Sequence, residues 1–113
     1  MNKEAFAKAL IDARQAGIEA IIGMVDSYPC GGAYHETSGN SEIVKMFKKY
    51  GEDVGDKRYE FMGWYAWKSH KGYMVSHGGA TYQNMNMHSA RTTAESGILG
   101  MNELSTSVHT YID

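Results

Sequence analysis

The sequence predicts an α+β domain, a mainly antiparallel sheet of four to five strands with helices packed on one face. Three observations predict it. Apolar residues recur at steps of three and four in a long opening stretch and again between Gln83 and Met101. The segments between and after these stretches alternate with a period of two and are rich in Tyr, Trp and Val. Turn chemistry separates the segments, with 13 Gly against a single Pro.

Residues 3 to 28 read as one long amphipathic helix. Phe6, Leu10, Ala13, Gly17, Ala20 and Met24 form its stripe, and Ile18, Ile21, Ile22 and Val25 widen it. The helix has to stop by Tyr28, because Pro29 lacks an N–H donor and restricts the residue before it. Gly31 and Gly32 then turn the chain into a strand over Ala33 to Thr37. Asn40 or Ser41 caps a short helix, Glu42 to Tyr50, with Ile43, Val44 and Phe47 inward and Gly51 after its end.

Glu52 to Lys57 reads as a polar loop. Tyr59 to Lys68 is the most strand-like run, with apolar or aromatic side chains on both faces: Phe61, Gly63, Tyr65 and Trp67 on one, Met62, Trp64 and Ala66 on the other. Ser69-His70-Lys71-Gly72 is a hairpin turn and Tyr73 to Ser76 the return strand. Thr81 to Gln83 adds a short extended piece. The last helix has its apolar stripe at Met87, Ala90, Ala94, Ile98 and Met101. The final strand sends Val108, Thr110 and Ile112 one way and Ser107, His109 and Tyr111 the other.

Bulk composition narrows the function classes. A chain of 113 residues holds one domain, 1–113, and 42% hydrophobic content argues against disorder. A net charge of -2 offers no basic surface for tracking phosphates, so non-specific nucleic-acid binding is disfavoured. A single Cys excludes an intrachain disulfide and fits a reducing compartment. The apolar run from Ala20 to Val25 is far too short to span a bilayer, and the first residues lack a signal-peptide pattern. The expectation is a soluble cytoplasmic protein. The wide apolar face of the first helix adds the expectation of a homodimer or higher homo-oligomer.

Three fragments carry a resemblance. They are Tyr28-Pro29-Cys30-Gly31-Gly32-Ala33-Tyr34 before a strand, Tyr82-Gln83-Asn84-Met85 opening an Ala-rich helix, and a tail running from Ser107 to Asp113. Their order resembles a family of small proteins encoded by tailed bacteriophages. His109 and Tyr111 stand where that family usually has an Arg before the last Asp. The resemblance implies a phage accessory protein acting in the host cytoplasm. Proteins of that kind antagonise host defence, by sequestering a nucleotide signal or by binding a host enzyme; this step is an analogy.

The residues themselves offer several candidate sites. Tyr65, Trp67 and Tyr73 are suited to stack on a base, while Gln83, Asn84, His88, Arg91 and His109 can supply hydrogen bonds and a cation. Gln83 to Arg91 also opens a helix, whose free N–H groups favour a phosphate. Set against this, Trp and Tyr are ordinary core residues and Asn84 an ordinary cap. The five His lack the i, i+4 spacing of a zinc helix, so no metal or other cofactor is expected; His35 with His109 on adjacent strands is the one pairing to check. Cys30 with His35 or His77 makes a thiol and a base, the basis of an enzyme reading. His77-Gly78-Gly79 resembles an esterase oxyanion loop, but no Gly-x-Ser-x-Gly elbow exists. The acidic loop Glu52, Asp53 and Asp56 suits a protein–protein inhibitor of a host defence enzyme. A non-enzymatic ligand binder is the favoured expectation.

Overall fold

The computed structural model describes residues 1–78, 80 and 82–113. It shows three helices and six strands in the order α1 (Lys3–Ala20), β1 (Gly31–Thr37), α2 (Glu42–Tyr50), β2 (Glu52–Gly55), β3 (Arg58–Phe61), β4 (Trp64–Lys68), β5 (Tyr73–His77), α3 (Met85–Met101) and β6 (Ser107–Ile112). The strands form one antiparallel sheet in the order β2-β3-β4-β5-β1-β6. The α+β class, the antiparallel sheet and the three helices are as the sequence predicts; the strand count is higher.

Two differences raise that count. Tyr59 to Lys68 is a hairpin, because Met62 and Gly63 turn the chain with φ of +54° and +78°, the left-handed pair that a two-residue hairpin requires. Phe61 therefore pairs with Trp64 and shares its face instead of that of Tyr65. The polar stretch after α2 is the edge strand β2. A third difference lies at α1, which ends at Ala20 and not near Tyr28. Gly23 takes a left-handed φ of +84°, a conformation open to glycine that ends a helix. Ile22 and Val25 are each 75% exposed, so the wide apolar face is not covered.

All three helices lie on one side of the sheet. The core is built from Phe6, Leu10 and Ala13 of α1, Ile43, Val44 and Phe47 of α2, Leu99 of α3, and Trp64, Ala66 and Val75 of the sheet. Phe6 stacks on Phe61 at 5.2 Å and meets Phe47 edge-on at 5.3 Å, geometries that aromatic quadrupoles favour. Ser41 is the cap of α2, its Oγ accepting from Val44 N.

The α3 stripe differs from the expected one. Its buried residues are Met87, Arg91, Thr92, Glu95 and Leu99, while Met101 is 81% exposed. The helix thus buries a charged pair. Gly17 of α1 makes room for it. A Cβ there would sit 2.8 Å from Arg91 Cγ and 2.9 Å from Glu95 Oε2. Gly17→Ala is therefore expected to destabilise the protein by about 1–3 kcal/mol, read as a lower denaturation midpoint, despite the better helix propensity of Ala.

Candidate functional site

The expected ligand-binding residues fall on both sides of the sheet. Strand register decides this, since side chains alternate faces. The pairs Arg58↔Trp67, Glu60↔Tyr65, Trp67↔Met74, Tyr65↔Ser76 and Tyr34↔His109 put Arg58, Tyr65, Trp67, Met74, Tyr34 and His109 on the face without helices. Tyr73 points the other way, is buried, and has the Lys48 and Lys68 ammonium groups near its ring. Gln83, Asn84, His88 and Arg91 lie with α3 on the helix side. One pocket joining the aromatics to the α3 start does not form.

The α3 start is already satisfied by the chain itself. Asp26 Oδ1 accepts from Gln83 N at 3.0 Å and Asn84 N at 2.8 Å. Asn84, buried, caps the helix by accepting from Met87 N at 2.9 Å. An anion-binding helix end is thus occupied by a carboxylate and a carboxamide of the protein. Cys30 faces Gln83, with Sγ 3.9 Å from its Oε1. His88 lies against Tyr82, its Nε2 3.0 Å from Tyr82 O, and burial moves its pKa below the ordinary value. Gly79, part of the glycine-rich loop, and Thr81 lie outside the described residues; of the expected extended piece, Tyr82 and Gln83 belong to no strand, though Gln83 O accepts from Gly31 N at 2.9 Å and Asn84 forms an isolated bridge with Cys30.

The other helix-side residues build a polar hub. Glu95 is fully buried, and its carboxylate meets a histidine from each of two paired strands, β1 and β5. His35 Nε2 donates to Oε1 at 2.9 Å and His77 Nε2 to Oε2 at 2.5 Å. Arg91 Nη1 donates to both oxygens, at 3.0 and 3.1 Å. Burial alone raises a carboxyl pKa. Here the hydrogen bonds from His35 and His77 and the Arg91 charge outweigh it and hold Glu95 down at about 2. An ionised carboxylate only accepts, so both ring nitrogens facing it carry their hydrogen. His35 Nδ1 sits 2.8 Å from Thr106 Oγ1, and Trp64 closes over His77 at 4.6 Å between ring centroids. Arg91 Nε and Thr92 Oγ1 have no partner among the described residues.

Sequence reasoning missed this hub. Arg91 and Glu95 look like a solvent-facing i, i+4 ion pair. The available signal was the series Met87, Arg91, Glu95, Leu99, one residue per helical turn on a single face. His35 and His77 likewise occupy the inward positions of their strands. Both imidazoles of the hub are engaged: His35 by Glu95 and Thr106, and His77 by Glu95, with its Nδ1 3.1 Å from Gly78 O. His35 and His109, set on opposite faces, do not meet. Among the described residues no group of three or more His, Cys, Asp or Glu is arranged to hold a metal ion.

The helix-free face carries the more accessible features. The Arg58 guanidinium lies 4.3 Å from the Tyr65 ring centroid and 5.6 Å from that of Trp67, a cation–π pair of contacts. Beside them is an open groove of about 450 Å³, lined by Val54, Asp56, Arg58, Glu60, Tyr65 and Trp67. A second, of about 460 Å³, runs between Tyr34, His109, Met74, His70 and Lys71. Tyr34 stacks obliquely on His109 at 5.1 Å. No helix is long and apolar enough to cross a membrane among the described residues. No protein-family model, curated protein or solved structure matches the chain.

The hub makes stability depend on acid. The folded pKa of Glu95, about 2, lies below its ordinary 4.5, so its contribution is complete above 4.5 and is lost as pH falls toward 2. Urea midpoints measured from pH 5 to pH 2 are expected to fall in this window, and less steeply in Glu95→Gln. Glu95→Ala, which leaves the Arg91 charge buried and unpaired, is expected to cost about 3–5 kcal/mol at pH 7.

Proposed function

We propose that the protein is a non-enzymatic binder that holds a planar, nucleotide-like ligand on the helix-free face of its sheet. The observation that carries this reading is the Arg58–Tyr65–Trp67 shelf on an uncovered face. A base stacked on Trp67 or Tyr65 gains contact area with either ring. The Arg58 guanidinium offers charge-assisted hydrogen bonds to a phosphate. Glu60 and Asp56 in the same groove can accept from exocyclic amino groups. The sequence resemblance to small phage proteins sets this binding in an infected cell, where holding a nucleotide signal blunts a host defence.

A second reading draws on β2. Glu52 and Asp53 form an exposed acidic edge with Val54, 45% exposed, between them and Asp56. Such an edge suits a basic surface on a host enzyme, and association through it weakens with salt.

The test is a fluorescence titration with AMP, ADP and a cyclic dinucleotide. Trp67→Ala and Arg58→Ala are each expected to lower affinity roughly ten- to a hundredfold. Gln83→Ala and His88→Ala, on the other side of the sheet, are expected to leave it unchanged. The reading is lost if no ligand of the panel binds below millimolar concentration, or if only the Gln83 and His88 variants weaken binding.

A further inference from the structure

The two edges of the sheet are built differently. β2 is short, carries Glu52 and Asp53, and shifts register between Asp53 and Gly55. Charge, brevity and irregularity are the usual guards against edge-to-edge pairing. β6 has none of them. It is six residues long, Ser-Val-His-Thr-Tyr-Ile, regular along its whole pairing with β1, and free of Lys, Asp, Glu and Pro. Its Val, Thr, Tyr and Ile are strong strand formers. Tyr111 and Ile112 are 48% and 67% exposed.

The hydrogen-bond phase of β6 fixes which groups are free. Asp113 N donates to Cys30 O at 3.0 Å. By alternation, Tyr111, His109 and Ser107 turn their backbone groups toward β1. Val108, Thr110 and Ile112 turn theirs outward, where no strand of the described residues lies.

We propose that β6 pairs antiparallel with β6 of a second copy about a two-fold axis at Thr110. In that register Thr110 opposes Thr110, Val108 opposes Ile112 and His109 opposes Tyr111. Every outward backbone group of the three residues gains a partner. Each cross-strand pair is of a favourable kind: β-branched with β-branched on the helix side, His with Tyr on the open side. No like charges meet. The occupant is therefore the chain itself, since one six-residue segment supplies both halves of the match. The pairing joins two sheets into one of twelve strands. It also sets Tyr111 of the second copy beside His109, extending the groove at Tyr34 and His109 across the axis. This inference stands apart from the nucleotide reading, because its test reads only mass.

The two-fold places both copies of residue 110 opposite each other, which gives a charge-swap test. Thr110 is exposed, so its replacement leaves the fold intact, as circular dichroism will confirm. In light scattering at micromolar concentration, the natural chain is expected at twice 12.5 kDa. Thr110→Lys alone and Thr110→Glu alone are each expected at the single-chain mass, and their mixture at twice that mass. Ile18→Asp, on the exposed side of α1, is expected to stay dimeric. A monomeric natural chain overturns the proposal. So does a dimer that survives Thr110→Lys, or one that Ile18→Asp dissolves.

Discussion

The carboxylate of Glu95 is the constraint around which this protein is assembled. It takes hydrogen bonds from β1 through His35, from β5 through His77 and from its own helix through Arg91. A buried charge in such a place is tolerable only when its partners are all present. That requirement fixes the height of α3 above the sheet. It also fixes the approach of α1, which comes close to the pair only because residue 17 has no side chain. Trp64 then seals the hub from above, in contact with both imidazoles.

With three helices committed to one face, the sheet has two unlike sides. The helix side is a core with a charged centre. The other side is a shelf of Tyr34, Tyr65, Trp67 and Met74, each half-buried by its neighbours, edged by the exposed Arg58 and His109. Rings held this way lose little freedom on meeting a flat partner, which suits them to recognition. The α3 end, by contrast, spends its anion-binding capacity on Asp26, which also ties down the segment between α1 and β1.

Much of the fold was legible because amphipathic period survives in the sequence. The Phe6–Leu10–Ala13–Gly17 stripe, the α2 inward set and the alternation of β6 are all present as read. Two kinds of feature were hidden. Met62-Gly63 is a left-handed turn whose first residue gives no turn signal, so two strands looked like one. The α3 core face carries Arg91 and Glu95, residue types that mark a solvent face everywhere except in a closed ion network. The site residues suffered from the same limit. Trp67 and Tyr73 look alike in a list of aromatics, and only the strand register places one on the open face and the other in the core. Proximity in sequence between β5 and α3 suggested a shared pocket that the sheet divides.

The hub also acts as a check on topology. His35, His77 and Glu95 come from three separate elements, and the contacts that join them reach across 60 and 18 residues of sequence. None can form until the strands are paired. A slip of β1 by one residue would turn His35 to the open face and bring Tyr34 or Glu36 to the buried carboxylate. The first gives a bulky phenol in place of an imidazole, and the second sets two negative charges together out of water. Neighbouring registers of an apolar strand would differ little in energy. Here they are separated by the cost of leaving an ion without its partners, so the polar centre of the core selects a single register among the ways the strands can pair.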